Sequence, residues 1–394
     1  MKTWQSAVLA TTFALGLLAC GSVFAQAAQG VTKDEVVIGT IQDLSGPIAA
    51  FGKQTRNGIQ MRIDEQNDAG GVKGRKLRVV VEDSGYDPKK GVLATQKLLQ
   101  KDKIFAMIGT LGTPVVLTSM PLVLDKGVLH LFPLTAARET YEPLNKLKFS
   151  FAATYFDQMR AGVPYLVKLK GLKKVGILYQ DDEFGAEVMR GAEQGLKDMG
   201  MQLVEKTTYK RGATDFSSQV AKLKGAGCDL VVLGTIIRET IGAIGEARKT
   251  GFNPEFLGSS ALYTNLIHAL GGPAMNGLYG MSTVSTPYMD DASKNVRAWA
   301  ETYKKKYGED PTVFSVYGYG MIDYFIKALD AAGPQPTQIK VADALETIKT
   351  TRDMFGSPEY SMSKTNHLAT DKTRMSQIQN GRWIQVTDYL TVAK

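Results

Sequence analysis

A chain of 394 residues with 44% hydrophobic and 22% charged residues has the composition of an ordinary globular protein. That length exceeds what one hydrophobic core usually organises, so two lobes are expected. The formal charge of +8 reads as a basic, solvated surface that steers anions weakly. Lysines and arginines are scattered, as in Lys304-Lys305-Lys306, rather than gathered with stacking aromatics, which argues against nucleic acid as a partner.

The first 25 residues read as a cleaved signal peptide. Lys2 is their only charge, Ala7–Ala19 is an apolar run too short to cross a bilayer, and Val23-Phe24-Ala25 places small residues at the cleavage positions. The expected destination is the periplasm. Leu17-Leu18-Ala19-Cys20 is a competing signal, a lipobox-like run whose cysteine would carry a lipid anchor. No later segment has the roughly twenty apolar residues that a membrane span needs. Cys20 leaves with the leader and Cys228 remains alone, so no intrachain disulfide is expected and Cys228 reads as a small buried hydrophobe.

Short β-branched runs at Val36–Ile41, Leu77–Glu82, Ala106–Ile108 and Val128–Phe132 lack polar alternation, as parallel strands covered on both faces do. Helical patterns fall between them around Gly52–Gln66, Lys89–Gln100 and Val115–Lys126. After Lys148–Ala152 the rhythm restarts, with strands near Val175–Tyr179, Leu203–Tyr209, Leu230–Leu233 and Phe256–Ser259. Val188, Ala192, Leu196 and Met199, then Phe216, Val220 and Leu223, mark the buried stripes of two of the helices between these strands. The fold class is therefore α/β, with two doubly wound parallel sheets. Helical segments at Asp290–Tyr307, Ser315–Ala332 and Ile339–Lys349 follow, and Arg374–Gln379 with Arg382–Thr387 predicts a hairpin across Asn380-Gly381.

The stretch Val36–Asp83 holds a strand, a Ser45-Gly46-Pro47 loop, the pair Phe51-Gly52 on a helix, a Gly70-Gly71…Gly74 turn and a second strand ending at Asp83. With the later Asp87-Pro88-Lys89, this order and spacing resemble the leucine/isoleucine/valine-type periplasmic binding proteins of ABC importers, and the resemblance runs to the C-terminus. It implies a three-crossover hinge near residues 150, 283 and 352. One lobe is then 31–150 with 284–352, and the other is 151–283 with 353–394. Several relatives have a disulfide at positions matching Tyr86 and Gly112, which this sequence has dispensed with.

A ligand site is expected at the carboxyl ends of the strands, where a doubly wound sheet leaves a crevice and helix N-termini offer free N–H groups. Gly109-Thr110-Leu111-Gly112-Thr113-Pro114 follows one strand, and Pro133-Leu134-Thr135-Ala136-Ala137 follows the next. Thr113, Thr135 and the Ala136 amide, framed by Leu111, Gly112 and Leu134, form the expected carboxylate clamp, supported by the resemblance. The alternative is that both threonines only cap helices. The resemblance places Phe184, in Tyr179–Gly185, as an aromatic cover, with Phe51 as a second aromatic from the other lobe; Phe184 could also be core. Tyr263, Tyr317 and Tyr319 are candidate flat walls with phenolic handles, or hinge packing.

Two positions depart from the amino-acid binders of that family. Ile236 stands where those relatives often have tyrosine, and Ser260 where they set an acid against the ligand's ammonium. A desolvated ammonium without a counter-charge costs several kcal/mol, so a non-amino carboxylate, aromatic by preference, is favoured. Branched-chain or other neutral amino acids come second, and amides or urea third. Glu239 could substitute for the missing acid, or face solvent on its helix.

Catalytic signatures are missing. There is no G-x-S-x-G elbow, no P-loop and no G-x-G-x-x-G after a strand. His130, His268 and His367 are isolated, His130 reading as a satisfied core histidine, and no cluster has metal-ligand spacing. Neither enzyme activity nor a cofactor is expected. The implied partners are an inner-membrane permease with its ATPases, the protein itself being a monomer; a periplasmic sensor serving a receptor is the other reading.

Overall fold

The structure, a computed structural model, describes residues 28–390. The expected leader, with Lys2 and Cys20, lies outside the described residues.

Two sheets carry the molecule. The first comprises β1 (Glu35–Gln42), β2 (Lys76–Asp83), β3 (Ala106–Ile108), β4 (Leu129–Leu131) and β5 (Lys148–Phe149), all parallel, in the order β2-β1-β3-β4-β5. The second comprises β6 (Val175–Gln180), β7 (Leu203–Tyr209), β8 (Leu230–Gly234), β9 (Glu255–Gly258), β10 (Tyr279–Ser282), β11 (Arg374–Gln379) and β12 (Arg382–Gln385). Its order is β12-β11-β10-β9-β8-β6-β7, parallel except for the terminal hairpin. Asn380 and Gly381 turn that hairpin at φ 50° and 71°, the left-handed pair a two-residue turn requires. Central strands such as β1 and β8 are buried along nearly their whole length, which is why they read as continuous apolar runs. β2 and β7 are partly exposed because they are edges, a difference that the apolar run at Leu77–Glu82 does not announce. His130 sits inside the core as expected, but neither ring nitrogen has a partner. Burial holds its pKa down to about 3, so the ring is neutral.

Helices cover both sheets: α1 (Ala49–Asp68), α2 (Pro88–Gln100), α3 (Thr113–Asp125), α4 (Tyr155–Lys170), α5 (Glu183–Lys197), α6 (Ser217–Gly225), α7 (Ile237–Lys249), α8 (Asn265–Gly271), α9 (Lys294–Tyr307), α10 (Val313–Ala331) and α11 (Gln338–Leu345). α10 returns from the second sheet to pack along α1. A Cβ at Gly58 would lie 2.0 Å from the Ser315 carbonyl oxygen, and one at Gly318 would lie 2.2 Å from that of Thr55. The two helices therefore meet backbone to backbone, which brings Phe51 and Phe314 into register. Residues 361–369 then run beside the first sheet, where Ser150 N donates to His367 O at 2.9 Å and Ala369 N to Ser150 O at 2.9 Å. The chain re-enters the second sheet at Arg374.

The residues that carry the family resemblance build the scaffold of the first loop. The register Gln42↔Asp83 puts Asp83 beside the Ser45-Gly46-Pro47 loop, where its carboxylate accepts Leu44 N at 2.8 Å and Ser45 Oγ at 2.6 Å. Asp87 caps α2 through Lys89 N and Lys90 N. Cys228 is buried and burial raises its thiol to about 11, the inert hydrophobe expected.

Candidate functional site

The carboxyl ends of β1, β3 and β4 face those of β6, β8 and β9, and the loops that follow them enclose two adjoining cavities of about 40 Å³ each. The loops after β3 and β4 are zipped together, Leu134 N donating to Thr110 O at 2.8 Å and Gly112 N to Leu134 O at 3.1 Å. Zipping sets Thr113 against Thr135, with their hydroxyl oxygens 2.7 Å apart and both residues buried. Neither threonine caps a helix: Gly112 is the residue before α3, Ala137 precedes the short 3₁₀ turn Arg138–Thr140, and neither start has a side-chain cap bond. Gly112 has φ 95°, and a Cβ there would lie 2.4 Å from the Tyr86 ring. The tyrosine ring thus packs on the glycine.

Apolar walls surround this polar pole. Phe51, in the first turn of α1, stacks on Phe314 with centroids 3.7 Å apart and planes at 13°. Gly52 lets the start of α1 close on the chain just after β1, since a Cβ would lie 1.9 Å from the Asp43 carbonyl oxygen. From the other lobe Phe184 meets Tyr155 edge-on at 5.0 Å, its helix α5 capped by Asp182. Ile236, the residue before α7, completes the first cavity, and Ser260 borders the second. Gln158 fixes Ser260 twice, accepting from its amide at 2.8 Å and donating to its hydroxyl at 3.0 Å.

The lobes touch across the cleft. Arg138 pairs with the buried Glu187 at 3.2 Å. Arg211 donates to Tyr86 O at 2.9 Å, and Gln180 donates to the Tyr86 hydroxyl at 3.2 Å.

A family model described as "Periplasmic binding protein" matches residues 35–382. The chain belongs to the periplasmic binding protein family. Its relatives include the leucine-, isoleucine-, valine-, threonine- and alanine-binding protein of Pseudomonas aeruginosa, 25% identical over 331 residues, or 84% of this chain and 87% of that one. Among solved structures, a fatty acid ABC transporter substrate-binding protein from Thermomonospora curvata is 25% identical with a TM-score of 0.83, covering 92% of this chain and 94% of that one. An ABC transporter solute-binding protein from R. palustris, solved with benzoate, shares the fold at 19% identity and a TM-score of 0.80, over 90% and 96% of the two chains. The two-sheet α/β architecture is that of these binding proteins, and the family consists of solute-binding proteins of ABC transporters rather than enzymes.

As a periplasmic binding protein, the chain brings most of its sequence-predicted site residues together. Phe51, Leu111, Gly112, Thr113, Leu134, Phe184 and Ile236 line the first cavity; Leu134, Thr135, Ala136 and Ser260 line the second. Two tyrosines fall elsewhere. Tyr263 is packed behind the cleft against Trp383 at 4.9 Å, outside both cavity linings. Tyr319 points away on α10, its hydroxyl donating to Glu65 at 2.6 Å and its ring edge-on to Trp299. Helical geometry explains the choice: Tyr317, two residues earlier and about 200° round the helix, is the one that faces the cleft. Glu239 is buried on α7, not solvent-facing, beside Arg238 at 3.4 Å.

Sequence reasoning missed Tyr86, Tyr155, Phe151 and Phe314 as lining residues. Thr154 before the amphipathic α4 is a readable N-cap that would have placed Tyr155 at a helix start facing the crevice. Tyr155 has its phenol close to Thr135, and burial pushes its pKa up to about 12, so it acts as a neutral donor. Burial and the Asp182 carboxylate raise Tyr86 as well. None of the residues lining the two cavities carries a charge.

Proposed function

We propose that this periplasmic binding protein captures a small carboxylate with an apolar, aromatic or acyl body and delivers it to an inner-membrane permease with its ATPases. The observation that carries the reading is the uncharged lining. A carboxylate finds the Thr113–Thr135 hydroxyl pair, a neutral phenol and the positive end of α3. An ammonium finds no counter-charge, and its desolvation in a closed cleft costs several kcal/mol. The fatty acid named for the T. curvata relative agrees with an acyl body. A neutral amino acid is the second reading, favoured by the amino acids for which the P. aeruginosa relative is named.

Export through a cleaved leader, and monomeric action, complete the proposal. Its lobes divide at residues 150 and 283, with the third passage nearer 370 than 352, because residues 361–369 pair with Ser150. Closure is favoured by ligand because only the closed form lets both lobes touch it.

A thermal-shift panel of aromatic and aliphatic carboxylates, amino acids, dicarboxylates and amides tests the class. A ligand at a hundred times its dissociation constant adds about 2.7 kcal/mol, so carboxylates without an amino group should give the large shifts. Shifts confined to amides or dicarboxylates would overturn the reading.

A further inference from the structure

A third cavity, of about 70 Å³, lies behind the cleft where the chain passes between the lobes. Phe151 and Val284, from the passages near 150 and 283, border it, together with Thr350, Thr351 and Val316 and Met321 of α10. Its solvent end is polar, marked by the Asp323–Lys327 ion pair at 2.9 Å. Asp353 also borders it, its carboxylate accepting Ser357 N at 3.0 Å and Ser357 Oγ at 2.7 Å, and Phe132, Phe151, Tyr317, Tyr324 and Tyr360 give the rest of the lining an aromatic character.

Two side chains are common to this cavity and the ligand cleft. Phe151 and Tyr317 line both the hinge cavity and the cavity that holds Thr135 and Ala136. Their ring centroids are 5.5 Å apart at 58°. The Tyr317 hydroxyl is tied only to Thr283 Oγ1, at 3.4 Å, the outer limit of a hydrogen bond. A turn of that ring breaks one weak hydrogen bond and shifts its packing on Phe151 and its edge-on contact with Phe314. Gly320, three residues on and so on the same face of α10, also borders the hinge cavity. A Cβ there would meet nothing within 4 Å. Gly58 and Gly318 are demanded by close helix packing; Gly320 is demanded by no neighbour, and its bare backbone leaves the cavity open.

We infer that the hinge cavity is a subsite for the distal part of the ligand: an elongated apolar carboxylate, held by its acid at Thr113 and Thr135, passes its tail between Phe151 and Tyr317 towards Gly320. The inference rests on the carboxylate reading above. The cleft cavities, about 40 Å³ each, hold a few water-sized groups apiece, so a longer acyl chain needs the third space.

The test is calorimetric titration of linear carboxylates from butyrate to dodecanoate into the unmodified protein, Gly320→Ala and Gly320→Leu. Each buried methylene adds about fourfold in affinity, so binding to the unmodified protein should keep rising past the length that fills the cleft. Gly320→Leu fills the hinge cavity and should weaken decanoate and dodecanoate tenfold or more while leaving butyrate within twofold. Gly320→Ala should fall between, and both replacements favour the helix over glycine, so the variants fold. Equal effects at all lengths, or none, would overturn the subsite alone. Failure of every carboxylate to bind the unmodified protein would overturn the functional reading itself.

Discussion

Thr113→Val and Thr135→Val, singly and together, probe the polar pole of the cleft with almost no change of shape. The two hydroxyl oxygens lie 2.7 Å apart, so one hydroxyl donates to the other and the second proton is left for a ligand. Thr135 Oγ1 also accepts from Ala137 N at 3.3 Å. A charge-assisted hydrogen bond to a carboxylate contributes about 1.5–3 kcal/mol, so either single variant should lose roughly ten- to a hundredfold in affinity. The double variant should lose less than the product, because the threonines share a bond and their effects couple. Stability should split the two single variants: Thr113→Val removes only the bond between the hydroxyls, at about 0.5–1.5 kcal/mol, whereas Thr135→Val also leaves Ala137 N without its acceptor, at about 1–3 kcal/mol, and the double variant should resemble Thr135→Val. Calorimetric titration with 3-phenylpropionate and urea denaturation of all four proteins measure both quantities. Unchanged affinity in the double variant would refute the clamp, whatever happened to stability.

The buried, partnerless His130 has a folded pKa of about 3 against an ordinary 6.5, so below pH 6.5 the unfolded chain takes up a proton that the folded one refuses. Its contribution is full above pH 6.5 and falls by about 1.4 kcal/mol per unit on acidification; denaturation at pH 7 and pH 5 should show about 2 kcal/mol of loss that His130→Leu abolishes, and parallel pH profiles would contradict it. Arg211 and Arg138 tie the lobes together, so Arg138→Ala with Arg211→Ala should open the ligand-free protein. Small-angle scattering should show a larger radius of gyration than the unmodified protein and a weaker affinity; superimposable curves would show that these contacts do not set the closure.

Much of this architecture was legible because parallel strands buried on both faces leave continuous apolar runs, as in β1 and β8, and because glycines mark turns. The loops after β3 and β4 were legible too, since threonines between a strand and a helix have few roles other than capping or binding. Lining residues from outside those loops were not. Phe314 reaches Phe51 only because Gly58 and Gly318 let two helices, distant in sequence, touch backbone to backbone. Tyr86 read as one half of a missing disulfide, whereas its ring fills the space over Gly112 and its hydroxyl meets Gln180 of the opposite lobe. Choosing Tyr317 over Tyr319 needed the rotation of α10, and placing Tyr263 needed the position of Trp383 on a hairpin over a hundred residues later. His130 looked like a satisfied core histidine, but a sequence does not show that the strands around it offer no partner.

The central claim is that an uncharged cleft prefers a carboxylate without an amino group, and paired calorimetric titrations of 3-phenylpropionate with phenylalanine and of 4-methylpentanoate with leucine test it most directly. The deaminated acid of each pair should bind more tightly, and Ser260→Glu, beside Gln158 at the edge of the second cavity, should move the preference towards the amino acids. Tighter binding of phenylalanine or leucine by the unmodified protein would contradict the account and assign the ammonium to a buried partner such as Glu239.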